Sequence, residues 1–237
     1  MEQIYTIPIN EVFEEYGKEK VCECPMCALE AKLEENELSL ILGASMMEPD
    51  VRIETNRRGF CRSHYDKMYS RGNRLGLALI LESHLAELEA GLRGGGLASL
   101  MDPSASAVKK LESLDGSCYI CNRIEFHLAH MFETVALLYE RDPDFLPKFK
   151  SQSHFCLSHY RRLLKVAKDE LPKKKYAAFY ADASEIENAY VKMLCEDVSW
   201  FCKKFDYRYA EEPWYNAKDS VERSIRFLGG EGEVKKQ

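Results

Sequence analysis

The sequence predicts an all-α protein, a helical bundle built from two copies of one repeat, each copy held together by a metal site of three cysteines and one histidine. Two observations favour this fold class. One set of metal-binding residues occurs twice along the chain, and apolar residues recur at helical spacing over most of its length. Sustained alternation of apolar and polar residues, which would indicate strands, is nearly absent from the sequence.

Each copy of the repeat begins with a Cys-x-x-Cys pair and ends with Phe-Cys-x-x-His-Tyr. The first pair recurs after 94 positions and the Cys-x-x-His recurs after 95, so the copies stay in register apart from one insertion. A proline turn between the two halves recurs as well, at Pro49 and Pro143. The predicted metal ligands are Cys24, Cys27, Cys61 and His64 in the first copy and Cys118, Cys121, Cys156 and His159 in the second.

Three thiolates and one imidazole complete a tetrahedral zinc shell and leave no position open for a substrate. We therefore expect two zinc ions, and favour them over iron–sulfur clusters, in which histidine replaces cysteine only in a minority of cases. Two cysteines two residues apart can point at one ion across a tight turn. Free N–H groups at a helix start can donate to thiolates there. We expect each copy to close its own site.

The first copy reads as consecutive helices. Asn10 is expected to cap a short helix, and Pro25 suits the first turn of a longer one, since proline is tolerated there. A short basic segment should follow the Pro49–Asp50 turn. The expected helices cover residues 11–17 and 25–43, a segment that opens at Cys61, and residues 75–92.

The second copy repeats this order after a flexible break at Gly94-Gly95-Gly96. Its long helix carries an apolar stripe, and a still longer helix and an aromatic tail follow. We expect the tail to pack back on the bundle. The stripe consists of Ile124, Leu128, Phe132, Val135 and Leu138, and the other expected helices cover residues 105–114 and 176–205. The predicted organisation is a first repeat at 1–93, a linker at 94–104 and a second repeat at 105–237.

Composition bounds the function classes. A formal charge of -6 gives no electrostatic reason to expect nucleic acid, and no apolar stretch approaches the ~20 residues of a bilayer span. The first residues lack a secretory pattern, so we expect a cytoplasmic protein with reduced thiols. Nine cysteines occur; Cys22 is a candidate redox thiol beside the first site, whereas Cys195 and Cys202 are expected to be buried.

The duplicated Cys-x-x-Cys and Phe-Cys-x-x-His-Tyr motifs resemble those of a bacterial family of uncharacterised helical proteins, a domain of unknown function. Some members carry transporter-related names that nothing in the sequence supports. The resemblance covers Cys24 to Tyr160 and implies the eight ligands named above. It implies a metal and a cytoplasmic setting, and it assigns no reaction.

The sequence favours a non-enzymatic zinc protein that serves as an adaptor or binding module for a protein partner. The alternative is a thiol-based redox or metal-stress switch that releases zinc on oxidation. We expect the basic run from Arg161 to Lys175 to form a solvated face, and not a nucleic-acid binding site. The linear division further predicts that Cys121→Ser costs more helicity than Cys27→Ser. The sequence leaves the oligomeric state open.

Overall fold

The computed structural model describes residues 3–18, 23–93 and 103–230, and it is all-α over these ranges. Two short 3-10 helices, Ala44–Met47 and Tyr207–Tyr209, accompany the α-helices. Within the described ranges the α-helices are α1 (Gln3–Lys18), α2 (Pro25–Ile41), α3 (Pro49–Arg58), α4 (Arg62–Ser70), α5 (Arg74–Arg93), α6 (Pro103–Leu114), α7 (Tyr119–Arg141), α8 (Phe145–Lys150), α9 (Leu157–Glu170), α10 (Lys173–Lys203) and α11 (Ser220–Gly229).

The predicted helices are confirmed except in two places. Helix α1 begins at Gln3 and passes through Pro8, so Asn10 lies inside the helix, where its amide donates to the carbonyl of Thr6 at 3.1 Å. Pro49 is the first residue of α3, so the segment expected to be a turn and a basic stretch is a helix. Proline suits that position because the first N–H groups of a helix have no partner within it.

The chain forms two compact units. One comprises residues 1–31 with 128–237, and the other comprises residues 32–127. These units divide the chain differently from the linear scheme of residues 1–93 and 105–237, which stays a prediction. Most of the expected linker, residues 94–102, lies outside the described residues, and Pro103 and Ser104 already belong to α6.

The unit of residues 1–31 and 128–237 has an aromatic core. Phe13 lies 5.0 Å from Phe145 between ring centroids, and Phe149 lies 5.1 Å from Phe179 and 5.5 Å from Phe155. All five rings are fully buried. Burying one such side chain contributes about 1.5–3 kcal/mol, so this cluster is a main source of stability for the unit. Phe155 directly precedes a predicted ligand and thereby ties the metal-binding segment to the core.

The unit of residues 32–127 has a smaller, mainly aliphatic core. Its buried side chains lie on or beside α2, α4, α5 and α7, and they include two residues next to predicted ligands, Phe60 and Ile120. Phe60 also packs edge-on against Tyr65 and Tyr119, at centroid distances of 5.5 and 6.3 Å. The remaining buried members are Leu38, Ile41, Leu42, Met68, Leu77, Ile80, Cys118 and Ile124.

The aromatic segment after α10 packs back only in part. Trp214 lies 5.7 Å from Phe201 and carries the ammonium of Lys204 over its face at 5.4 Å. Tyr207 and Tyr215 remain largely exposed. The tail therefore packs back through Trp214 and through Tyr215, whose ring lies 5.4 Å from that of Trp200, whereas Tyr207 lies largely in solvent.

Cys195 and Cys202 are exposed on α10, and the expectation that they are buried is wrong. Helix α10 buries a different face, which includes Tyr190 and Leu194. No helix among the described residues is both long enough and apolar enough to cross a bilayer.

Candidate metal centres

The eight predicted ligands meet in two groups, and each group combines halves of both repeats. Site A consists of Cys24, Cys27, Cys156 and His159. Site B consists of Cys61, His64, Cys118 and Cys121. In each site the four candidate ligand atoms lie within 4.8 Å of one another. The structure thus brings together every predicted ligand.

The predicted pairing within each repeat is wrong. The first Cys-x-x-Cys meets the second Cys-x-x-His, and the second Cys-x-x-Cys meets the first Cys-x-x-His. The chain separations across the sites, 135 residues for Cys24 and His159 and 60 residues for Cys61 and Cys121, replace the expected closure over about 33 residues. Each site therefore fastens two segments that are distant in sequence.

Site A has the spacing of a tetrahedral shell. The Cys27 and Cys156 sulfurs lie 3.6 Å apart. Nδ1 of His159 lies 3.6 Å from the Cys24 sulfur and 3.3 Å from each of the other two. All four side chains are buried. Gly230, just past α11, helps to cover the site, since a β-carbon there would lie 3.6 Å from the Cys156 sulfur.

Site B has the same arrangement of atoms. Nδ1 of His64 lies 3.1 Å from the Cys61 sulfur, 3.2 Å from Cys118 and 3.4 Å from Cys121. The Cys61 and Cys121 sulfurs are 3.9 Å apart. Gly59, which ends α3, turns the chain into this site with a positive φ of 61° that favours glycine. Its carbonyl accepts the N–H of Tyr119 at 2.9 Å, which joins the two ligand segments.

Every ligand pair lies at the start of a helix. Cys61 and Cys156 are the N-caps of α4 and α9, with their histidines in the first turn. Cys24 and Cys118 directly precede α2 and α7. The N–H groups of a first turn lack partners within the helix, and the helix dipole is positive there. The backbone N–H of Cys121 accordingly points at the Cys118 sulfur at 3.5 Å. The sequence therefore places thiolates where the backbone stabilises negative charge.

Carboxylates hold the outer nitrogen of both histidines. Nε2 of His64 lies 3.0 Å from Glu34, and Nε2 of His159 lies 3.4 Å from Glu30. Lys67 donates to both oxygens of Glu34, at 2.8 and 3.0 Å. A proton on Nε2 leaves Nδ1 free to bind a metal, and such partners typically orient metal-binding histidines. Sequence reasoning missed both carboxylates.

The ionisable groups of site B stabilise one another's charged forms. Hydrogen bonding from Cys121 lowers the pKa of the Cys118 thiol to about 3 against the effect of burial. Burial lowers the pKa of His64, but the hydrogen bonds to Cys118 and Glu34 outweigh it and raise that pKa to about 10. The hydrogen bond from His64 lowers the pKa of Glu34 to about 2.

Site A follows the same rule. The hydrogen bond from Cys24 lowers the pKa of the Cys156 thiol. Burial lowers the pKa of His159, but its hydrogen bonds to Cys156 and to other neighbours outweigh burial and raise that pKa to about 11. Because metal ligands must lose their protons, binding of an ion releases protons from these groups.

The donor set and its spacing fit zinc. With Zn–S bonds of about 2.3 Å and Zn–N bonds of about 2.0–2.1 Å, a tetrahedron has S–S edges of about 3.8 Å and S–N edges of about 3.6 Å. The observed S–S distances of 3.6 and 3.9 Å lie on either side of the ideal S–S edge. The observed S–N distances of 3.1–3.6 Å reach the ideal S–N edge at their upper end. Four protein ligands complete the shell of either site, which is typical of a structural ion.

The two sites differ in exposure. The three thiols of site A are between 1% and 6% exposed. In site B, Cys118 is buried, Cys61 is half-buried and Cys121 is exposed. Solvent therefore reaches Cys121 of site B, whereas the three cysteines of site A are shielded from it.

The other four histidines of the described residues belong to neither site. Cys22 lies outside the described residues. His154 is buried and stacks on Tyr190 at 3.9 Å, and Nδ1 of His84 lies 2.9 Å from the carbonyl of Asn56. His127 and His130 join no metal-binding group in the described part of the chain. Arg162, from the basic run, lies over the ring of Phe132 at 4.6 Å.

Comparison with known proteins gives one match. The model of a family described as "Family of unknown function (DUF6062)" matches residues 1–235. No curated protein and no solved structure is significantly similar to this chain. The expected membership of a family without an assigned activity is confirmed, and the family description names neither a metal nor a partner.

Proposed function

We propose that this protein is a non-enzymatic, zinc-stabilised helical adaptor that presents its surface to a protein partner. The chain belongs to a family of unknown function, DUF6062, so the proposal is drawn from the two metal sites. One observation carries the proposal: each site gathers three thiol sulfurs and one imidazole nitrogen within 4.8 Å at helix starts. A closed shell of this kind stabilises the fold and leaves no coordination position for a reacting molecule.

The exposed face of α11 supports binding to another macromolecule. Val221, Ile225 and Leu228 recur at helical spacing on this face and are 40%, 57% and 64% exposed. The same helix buries Phe227 and Arg223, and Arg223 pairs with Asp197 at 2.8 Å. Apolar stripes that stay exposed are characteristic of interaction sites, and an amphipathic helix of a partner protein fits such a stripe.

Metal analysis tests the first half of this proposal. Emission spectroscopy combined with thiol titration should find about two zinc ions per chain in protein purified without added metal. Visible charge-transfer absorption in anaerobically purified protein would point to iron–sulfur chemistry instead. A zinc content near zero in folded, reduced protein would refute the proposal.

The partner is tested with matched variants of α11. A protein captured by the wild type should be lost with Ile225→Glu and retained with Glu222→Gln, a change on the same helix that leaves the stripe intact. Equal capture by both variants would exclude the stripe as the binding surface.

The reduced thiols that both sites need are typical of the cytoplasm, and we propose that compartment.

A second function, a thiol-based redox switch, is favoured by one observation. Cys121 is a predicted zinc ligand and is also exposed. Exposed thiolates oxidise before buried ones. A site that loses its metal on oxidation would couple the redox state of the cell to the folding of the unit that holds it.

A further inference from the structure

We propose that site B carries an oxidation site in which Cys61 and Cys121 form a disulfide and the metal is lost, while site A keeps its metal. This inference rests on the proposed function, because it requires both sites to hold zinc. It assigns a modification to two residues, and it separates the two sites into a permanent one and a releasable one.

Exposure selects the first thiol to react. Cys121 is the exposed ligand of site B, in the first turn of α7. The thiols of site A are buried, and Gly230 packs beside the Cys156 sulfur. Susceptibility to oxidation follows thiolate character and access by solvent. An oxidant in solution therefore meets Cys121 before any other ligand.

Geometry selects the second thiol. The Cys61 sulfur lies 3.9 Å from that of Cys121 and is half-buried, so it can move toward solvent. The two sulfurs need to approach to about 2.05 Å, the length of a disulfide. Cys118 is 2% exposed and lies against the backbone N–H of Cys121 at 3.5 Å, which holds its sulfur inside the site. Cys61 is thus the better resolving thiol.

The oxidant in this proposal is a hydroperoxide. The Cys121 thiolate attacks one oxygen of the peroxide, the O–O bond breaks, and hydroxide or alkoxide leaves, which yields a sulfenic acid. The Cys61 thiolate then attacks this sulfur, an S–S bond forms, and hydroxide leaves. The two sulfurs lose two electrons in all, and the peroxide gains them. With two of its four ligands in a disulfide, site B no longer holds its ion.

Loss of the ion from site B acts on the unit of residues 32–127. All four ligands lie in that unit, and its core includes Phe60, Cys118 and Ile120 at the site. Structural zinc contributes folding energy directly, so this unit should lose helicity when site B is emptied. Site A belongs to the other unit and keeps its four ligands.

The test uses the full-length, zinc-loaded chain with Cys195→Ser and Cys202→Ser, since these exposed thiols lie outside both sites. Zinc content is measured first, and hydrogen peroxide is then added in increasing amounts while a chromogenic chelator follows zinc release. Alkylation, digestion and mass spectrometry identify the disulfide. We expect release of half the zinc together with a Cys61–Cys121 disulfide, and recovery on reduction with added zinc.

Cys121→His is the matched variant. Histidine keeps four ligands at site B and removes the exposed thiol, so zinc should stay bound at peroxide concentrations that release half of it from the parent chain. If this variant fails to bind zinc at site B, disulfide mapping in the parent chain still decides.

Simultaneous release of both ions, retention of both, or a disulfide between Cys121 and either Cys118 or Cys22 would overturn the inference. A chain without two zinc ions before peroxide is added would instead refute the proposed function.

Discussion

The cross-repeat pairing of the ligands can be tested by comparing two double variants. Cys27→Ser with Cys156→Ser damages only site A if the structure is correct, and both sites if each repeat closes its own. Cys121→Ser with Cys156→Ser does the reverse. Each pair combines a Cys-x-x-Cys residue with the same Cys-x-x-His residue, so the two variants are matched in chemistry.

The expected effect is large. Structural zinc binds with about 10–16 kcal/mol in zinc-finger peptides at neutral pH, comparable to the 5–15 kcal/mol that separates the folded and unfolded states of a typical domain. Loss of a site should therefore unfold most of the unit that holds it. We expect Cys27→Ser with Cys156→Ser to retain about one zinc per chain and Cys121→Ser with Cys156→Ser to retain close to none.

Emission spectroscopy for zinc and circular dichroism for helicity measure both outcomes. The second substitution in Cys27→Ser with Cys156→Ser should add little to the effect of the first, because both act on one site. The converse pattern, with close to no zinc in that variant and one ion in the other, would refute the structural pairing.

The structure also reverses the prediction for single variants. Cys27 shares site A with the segment that leads into α10, so Cys27→Ser should cost more helicity than Cys121→Ser.

Three further predictions follow from residues around the sites. Glu34→Gln should weaken zinc binding at site B by about 10–100-fold in a chelator competition, and Glu30→Gln should weaken site A less, because Glu30 is more exposed and more distant from its histidine. Burial raises the pKa of Glu187 from 4.5 to about 8, so its effect on stability is most favourable below pH 4.5 and is lost as the pH rises through 8. Relative to Glu187→Gln, the wild type should lose about 2–3 kcal/mol of unfolding free energy between about pH 6 and about pH 9 in urea titrations, and a constant difference would contradict the assigned pKa. Gly59→Ala should cost about 1–2 kcal/mol from backbone strain alone, and more than Gly72→Ala, because its β-carbon would lie 3.0 Å from Nε2 of His84 whereas that of Gly72 meets no atom within 4 Å.

The sequence reveals the ligands and their helix starts because both depend on short-range spacing. Cys61 and His64 are three residues apart, so one helical turn brings them together wherever that helix lies. The partner of this pair is different. Both Cys-x-x-Cys pairs offer the same two thiols to it, so only the long-range packing of the helices decides between them. A single sequence contains no local signal for that choice.

The supporting carboxylates left a weak signal. Glu30 and Glu34 follow Cys27 by three and seven residues, which places all three on one face of α2. Acidic residues on a helix face are usually solvated, so this pattern alone does not single them out.

The sequence does not predict the exposure of Cys195 for a similar reason. An isolated cysteine on a helix of mixed polarity gives no indication of which face is buried.

The pairing also fixes an order of assembly during synthesis. The ligands of site B, residues 61–121, lie entirely between the two halves of site A, so the sites are nested along the chain. The first Cys-x-x-Cys leaves the ribosome well before Cys156 and His159, which are separated from its two cysteines by 129 to 135 residues. At about 5–20 residues per second this delay is on the order of ten seconds. Site B can close first and shorten the open loop, which lowers the entropic cost of bringing the ends of site A together. Until then, Cys24 and Cys27 remain without their partners in a nascent chain.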